Sequence, residues 1–436
     1  MKTRTAHLLA LLALFSALIG EARAQSPSPV DHPNVLVIML DDVGWDDLAA
    51  APVKNLETFA PFARIYPRFY SAPVCSPSRY MALFGRLAHR ELIGTAIDLE
   101  NPLATGAPAD NVSLAEALKA EGYTTGMFGK WHLSGPADGP VEQGPLVQGF
   151  DTWRAGIAAN VGLDRSHYDW DRVDDGVVTI ETTYSTRAIT EAFLDWWPNQ
   201  SGPRFAMVGL NAPHEPFESA EPSGLLPPGY TVVDTPRGLF ESAIVALDTA
   251  FGQMASVIDL SNTYVLLVSD NGTPPTALLP SQQLQGFKGS VNEGGVRVPC
   301  VLWGVDTQPG LDLSLTHVVD LPRTVLDLVG VSPASDFDDS ISFAGTRLGQ
   351  EGLRQFAFSH LFYPNGSQPN LFGEAWTVVR SDGLKLIYQF KTFRLFDLGI
   401  DPFETNDLNA GSFLYFADAI KLASYRTQKL FPEWPY

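Results

Sequence analysis

The chain has 436 residues, with 29 Lys and Arg against 49 Asp and Glu, a formal charge of −20, and 45% of its residues are hydrophobic. That composition excludes a disordered chain, a collagen and a coiled coil, and 37 Gly with 33 Pro point to many loops rather than a helical bundle. Coulomb repulsion sets so acidic a protein against nucleic acid and anionic membranes, so neither is an expected partner, and an anion would need a local basic pocket.

The first predicted element is a leader. Lys2 and Arg4 precede an apolar run over residues 8–19, followed by Ala22, Arg23 and Ala24 before Gln25. This is the layout of a secretory signal peptide covering residues 1–24. The run falls short of the about 20 apolar residues a membrane span requires, so no stable membrane anchor is expected. Loss of Lys2, Arg4, Arg23 and Glu21 with the leader moves the formal charge from −20 to −22. The expected mature protein is acidic and exported, periplasmic or secreted. An oxidising destination usually recruits disulfides, yet the chain has only Cys75 and Cys300. Cys300, beside an apolar run over 298–303, reads as a small buried thiol. Cys75 reads as part of a Pro-flanked loop and needs its own account.

Next comes a continuous apolar run over residues 35–40 that stops abruptly at Asp41 and Asp42. Such a run suits a buried parallel strand. Similar strands are expected at 124–128, 205–210, 264–268 and 298–302. Between them lie helical patterns, at 113–121 with Leu114, Ala117 and Leu118 on one face, and at 240–258. Strands alternating with helices predict an α/β fold, a large mainly parallel sheet covered on both faces, over residues 25–344. Beyond about residue 343 the texture changes to 376–380, an Asp382-Gly383 turn, 384–390 and 393–398, a smaller antiparallel meander. With an amphipathic stretch at 412–430 expected to pack on it as a helix, residues 345–436 read as a C-terminal subdomain.

Ligands of a parallel sheet sit beyond the carboxyl ends of its strands, so polar residues just after apolar runs are the ones to collect. They are Asp41 and Asp42, Lys130 and His132, Asn211 and His214, then Asp270 and Asn271. Three carboxylates and an amide oxygen make a hard oxygen set that selects Ca²⁺ or Mg²⁺ over zinc. Taken singly, Asp-Asp also suits a helix cap and Asp-Asn-Gly an ordinary turn. A cation beside Lys130, His132, His214, Arg79 and Lys288 would form a positive pocket suited to a tetrahedral oxyanion such as phosphate or sulfate.

The stretch Pro73-Val74-Cys75-Ser76-Pro77-Ser78-Arg79, with Phe84-Gly85-Arg86 after it, resembles the formylglycine signature of the type I sulfatases, members of the alkaline-phosphatase-like superfamily. The resemblance continues through residues 33–42, Gly129-Lys130-Trp131-His132, Asn211-Ala212-Pro213-His214, Ser269-Asp270-Asn271-Gly272 and Gly286-Phe287-Lys288-Gly289. It then takes in Glu293-Gly294-Gly295-Val296-Arg297-Val298-Pro299 and the stretch from Asp397-Leu398 to Asp401-Pro402, all in the family's order. It implies a sulfuric ester hydrolase of arylsulfatase type. Cys75 would be oxidised to formylglycine by a formylglycine-generating enzyme, and Asp41, Asp42, Asp270, Asn271 and the modified residue 75 would hold calcium, with magnesium the lesser expectation. Arg79 would orient the formylglycine hydrate, and Lys130, His132, His214 and Lys288 would hold the sulfate. The implied reaction has one hydrate hydroxyl attack sulfur, His214 or Lys288 protonate the leaving oxygen, and His132 take the second hydroxyl's proton as sulfate is expelled.

Two other readings stand beside this one: a phosphonate monoester or phosphate diester hydrolase on the same scaffold, and an inactive anion-binding relative. A two-metal phosphatase would want more His and Asp ligands than a chain with 8 His supplies. The substrate is expected to be a small-molecule or sugar sulfate ester. Its organic part would be read by loops 88–106, 136–167 and 216–235, with Trp153, Tyr168 and Trp170 as stacking surfaces or as loop core. Trp196 and Trp197 read as packing, Asp174-Asp175 and Asp338-Asp339 as solvated turns, and His317 and Asp320 as a helix cap. Asn-x-Ser/Thr triplets at Asn111, Asn199 and Asn365 are open to glycosylation in a eukaryotic host; a fourth includes Asn271, which cannot both carry a glycan and bind metal.

Overall fold

The structure, a computed structural model, describes residues 32–162, 165–332, 336–366 and 373–408. The expected leader and the amphipathic stretch 412–430 lie outside them. In chain order the described strands are β1 (Asn34–Leu40), β2 (Arg64–Ile65), β3 (Phe69–Tyr70), β4 (Thr124–Lys130), β5 (Thr152–Ile157), β6 (Trp170–Asp174), β7 (Val177–Glu181) and β8 (Arg204–Leu210). They continue as β9 (Thr263–Ser269), β10 (Cys300–Trp303), β11 (Gly310–Leu311), β12 (Thr316–His317), β13 (Phe356–Leu361), β14 (Ala375–Arg380), β15 (Leu384–Gln389) and β16 (Thr392–Asp397).

Ten of them form one sheet in the order β11-β2-β10-β9-β1-β8-β4-β5-β6-β7. Its centre, β9-β1-β8-β4-β5, is parallel throughout. β1 shows why the run at 35–40 has no polar break. Val35, Val37 and Met39 face one hydrophobic cluster, and Leu36, Ile38 and Leu40 face the other. A strand covered on both faces needs an apolar side chain at every position, and each one fully buried contributes about 1.5–3 kcal/mol relative to exposure. Helices supply the covers. Leu114–Ala120 starts in a capping box between Ser113 and Glu116, and Pro236–Ala255 starts with Pro at its first position behind Thr235, which accepts from Gly238 N–H.

The sheet edges differ from the sequence expectations. β10 lies antiparallel to β9, so the strand expected at 298–302 begins two residues later and stands outside the parallel set. A short apolar run carries no record of direction. β5, β6 and β7 were not predicted, because Thr152–Ile157 has no apolar run and β7 is exposed along most of its length. Cys75 is not in a loop: it opens the helix Cys75–Phe84, all ten of whose residues are buried. Pro77 is tolerated there because its missing N–H falls within the first turn.

β13 to β16 form the antiparallel C-terminal meander, with Gly383 at φ +105° in the turn between β14 and β15. The expected strand positions hold, and β13 is additional. Phe358, Trp376, Val378, Leu386, Tyr388 and Leu395 from this meander share a hydrophobic cluster with Val37 and Met39. Arg68 clamps its far turn by donating from Nη1 to Ser381 O (2.6 Å) and from Nη2 to Arg380 O (3.1 Å).

Some smaller expectations change as well. Trp153 and Trp170 are fully buried, with Trp153 Nε1 donating to Gly129 O at 3.0 Å, and Tyr168 donates to Ser219 O, so all three are committed to packing. Asp339 is buried and paired with Arg90 at 2.6 Å, while Asp175 accepts from Thr152 and from the Trp153 N–H, so neither pair is a simple solvated turn. His317 and Asp320 cap a turn as expected, Trp196 and Trp197 are buried, and the two cysteines are separate buried thiols.

Candidate active site

The register of the sheet sets the site. Leu40 pairs with Leu210 on one side and Ser269 on the other, so Asp41, Asn211 and Asp270 leave their strands at one level. β4 joins them one strand further on, where Gly129 at φ +76° pairs with Gly209 and a Cβ on it would lie 2.2 Å from the Gly209 carbonyl oxygen. Only glycine allows that approach, which brings Lys130 and His132 to the same edge. Asp42 (φ +67°) and His132 (φ +58°) both hold left-handed backbone, a conformation that costs on the order of 1–3 kcal/mol each and gathers at functional sites.

The ten residues expected from the sequence meet there. Asp41, Asp42 and Asp270 are buried and offer carboxylate oxygens within 4.8 Å of one another. Lys130 Nζ donates to Asp41 Oδ2 at 2.5 Å, and Asn211 Nδ2 donates to the same oxygen at 2.9 Å. Arg79, buried along its helix, donates to Asp270 Oδ2 through Nε (3.1 Å) and Nη2 (2.9 Å) and to the Lys130 carbonyl through Nη1 (3.0 Å). Lys288 Nζ pairs with Asp42 Oδ1 at 2.8 Å. His214 Nε2 stands 4.0 Å from Asp42 Oδ2, while its Nδ1 donates to the Glu215 carbonyl at 2.8 Å. Cys75 Sγ lies 3.2 Å from His132 Nδ1, and His132 Nε2 donates to Ile97 O at 2.9 Å. That second bond fixes the tautomer, so the bare nitrogen of His132 faces residue 75.

Charge explains the ionisation of these groups. Burial opposes ionisation of Asp41, but Lys130, His214, Arg79 and Lys288 outweigh it and hold its carboxyl well below the usual range. Burial, with the Asp41 charge beside it, pushes Asp270 well above that range. Burial, reinforced by Lys130, lowers His132 to about 3, and burial with Lys288 lowers His214 to about 4, so both are neutral at pH 7. Burial works against the charged form of Lys288, and Asp42 more than offsets it, so the ammonium persists.

Two buried oxygens in this network have no hydrogen-bond partner, Asp41 Oδ1 and Asn271 Oδ1. The Asn271 amide nitrogen donates to Asp42 Oδ1 at 2.7 Å and to Gly272 O at 3.0 Å, which leaves its oxygen free beside the three carboxylates. An unsatisfied buried acceptor costs about 1–3 kcal/mol, and a hard divalent cation would satisfy both while relieving the repulsion between Asp41 and Asp270. The donor set therefore fits calcium or magnesium.

Asn160 is a site residue that the sequence did not reveal. Its Oδ1 accepts from Lys130 Nζ at 2.5 Å, so that Lys130 is held from both sides. It follows β5, whose lack of an apolar run hid the strand end that would have marked it.

Five cationic or imidazole side chains ranged round a buried carboxylate triad define a class of protein, a hydrolase fitted to a negatively charged ester. Comparison with known proteins narrows the class. The chain belongs to the sulfatase family, whose family model matches residues 33–331. It is 30% identical over 368 residues to N-acetylgalactosamine-6-sulfatase of Canis lupus familiaris, covering 75% of this chain and 67% of that one. To arylsulfatase A of Bos taurus it is 29% identical over 398 residues, 82% of this chain and 75% of the relative. Among solved structures, Ps i-CgsB in complex with k-i-k-neocarrahexaose superposes with a TM-score of 0.77 at 22% identity, over 92% of this chain and 94% of that one. PsFucS1 sulfatase from Pseudoalteromonas sp. gives 0.68 at 19% identity, over 100% and 96%. These two establish the shared fold.

Proposed function

We propose that this sulfatase-family chain hydrolyses a sulfate monoester of a sugar or a phenol, using a formylglycine hydrate made from Cys75 and a calcium ion held by Asp41, Asp42, Asp270 and Asn271. The observation that carries the reading is the pair of buried oxygens on Asp41 and Asn271 that make no hydrogen bond, at the same sheet edge as the Cys75 and His132 contact of 3.2 Å. When present, the two groups supply an oxygen nucleophile and a Lewis acid that polarises the sulfate oxygens.

The chain's own residues do the rest. Lys130 and Lys288 bind the sulfate oxygens, and Arg79 offsets charge at residue 75. His132 Nδ1, bare in the tautomer fixed by Ile97, accepts a proton from residue 75. The leaving oxygen takes its proton from Lys288, since neutral His214 has committed its only N–H to Glu215 and presents a lone pair. Asn160 keeps one Lys130 N–H occupied, so the remaining one is aimed; Asn160→Ala is expected to lower kcat/KM about tenfold, read by steady-state kinetics.

The relatives' names, N-acetylgalactosamine-6-sulfatase and arylsulfatase A, support a sugar or aryl ester. We further propose export behind a cleaved leader and maturation by a formylglycine-generating enzyme. Among the described residues no helix is long and apolar enough to cross a membrane. The deciding experiment measures sulfate release from an aryl sulfate against hydrolysis of an aryl phosphate diester. A preference for the sulfate of about a hundredfold or more is expected, and the opposite preference overturns the assignment.

A further inference from the structure

The C-terminal meander packs on Val74, next to the nucleophile position, through Leu361, Ala375, Ile387 and Phe396, and it reaches the site loop through a side-chain amide. Residues 362–366, which follow β13, lie on the loop 92–97: Gly366 N–H donates to Leu92 O at 2.9 Å and Phe362 N–H to Gly94 O at 3.3 Å. The Phe362 ring occupies the space that a Cβ on Gly94 would need, at 2.5 Å. From this contact Asn365 reaches into the loop. Its Oδ1 accepts from the Gly94 N–H (2.8 Å) and the Thr95 N–H (2.9 Å), and its Nδ2 donates to Thr95 O (3.1 Å) and Ala96 O (3.2 Å). One side chain thus satisfies four backbone groups of a segment that has no helix or strand of its own.

The next residue of that segment meets the nucleophile region twice. Ile97 N–H donates to Ser76 Oγ at 3.0 Å, one residue from Cys75, and Ile97 O accepts from His132 Nε2 at 2.9 Å. The orientation of a histidine ring is set by the bond its far nitrogen makes, so the height of the Ile97 carbonyl decides where His132 Nδ1 points. Gly94, Thr95 and Ala96 are held by Asn365, and Ile97, the next residue, is held between that segment and Ser76 Oγ.

We infer that Asn365 is a positioning residue for the sulfatase reaction, holding residues 94–97 so that the Ile97 carbonyl aims His132 at residue 75. This role rests on the function proposed above. It also closes Asn365 to glycosylation, since the amide nitrogen that would carry a glycan is already engaged.

The test compares wild type, Asn365→Ala, Asn365→Asp and Arg68→Ala, with turnover expressed per mole of modified residue 75 as counted by peptide mass spectrometry. Misplacement of a reacting group by about 1 Å can cost on the order of a hundredfold, so Asn365→Ala is expected to lower kcat at least about tenfold. Its KM should stay within about twofold, because Lys130 and Lys288 stand on other elements. Asn365→Asp keeps the two acceptor bonds and loses the two donations, and its kcat should fall between wild type and Asn365→Ala. Arg68→Ala loosens the same meander at its opposite turn and is expected to lower Tm with kcat unchanged. Should Asn365→Ala fold poorly, the milder Asn365→Asp carries the comparison. The role is overturned by an active wild type whose Asn365 variants keep its kcat, by a loss confined to KM, or by an equal fall in kcat for Arg68→Ala. A wild type that releases no sulfate at all overturns the sulfatase reading and this role with it.

Discussion

Replacing Cys75 with alanine is expected to remove turnover, by about 10⁴-fold or more, while the protein keeps its fold. The side chain is buried and its sulfur touches His132, so deleting it opens a small void that costs on the order of 1 kcal/mol. The helix Cys75–Phe84 retains Arg79, whose bonds to Asp270 and to the Lys130 carbonyl hold it in place. Serine at the same position should be equally inactive, because a plain hydroxyl cannot re-form an aldehyde and expel sulfate. That outcome separates a formylglycine enzyme from one that uses an ordinary alcohol or thiol. Mass spectrometry of the residue-75 peptide from active protein should show an aldehyde. A fully active preparation carrying only the unmodified thiol would sink the mechanism.

The second large effect is expected from Asp41→Ala. Asp41 offers one oxygen to Lys130 and Asn211, and the other makes no hydrogen bond and stands 3.9 Å from Arg79 Nη2. On the proposed reading its loss removes a cation ligand, and it strips Lys130, which is wholly buried, of its counter-charge. Breaking a buried pair from one side costs about 3–5 kcal/mol, and the lost ligand and the displaced ammonium together should reduce kcat/KM by about 10³-fold or more. Calcium titration monitored by thermal unfolding provides the check that does not depend on turnover. In wild type, calcium at about a hundred times its dissociation constant should stabilise by about 2.7 kcal/mol, and a chelator should reverse it. In Asp41→Ala the rise in Tm should be lost or moved to much higher calcium. An unchanged calcium response in the variant would remove Asp41 from the ligand set.

Much of the site legible in the sequence shares one cause. A strand buried on both faces is a solid apolar run, so the first polar residue after it is conspicuous, and in a parallel sheet that residue sits where ligands bind. Asp41, Lys130, Asn211 and Asp270 were found in this way, and the sheet register places three of them at one level. β5 has no such run, so Asn160 at its end stayed hidden although it holds the same lysine. Cys75 was recognisable from its motif, but its place at the head of a buried helix was not, since two prolines nearby read locally as loop.

The sequence by itself picked out ten candidate site residues, though not Asn160, because strand burial and motif order are properties of neighbours along the chain. Only the tertiary structure decided what each one faces. Asp42 meets Lys288, 246 residues away, and Asn365 meets Thr95, 270 residues away. An amide or ammonium carries no local mark of its eventual partner, and β10 carries none of its direction. Those choices are made when the sheet and the C-terminal meander close on a common core, where each buried polar group must find a partner or remain unsatisfied at a cost.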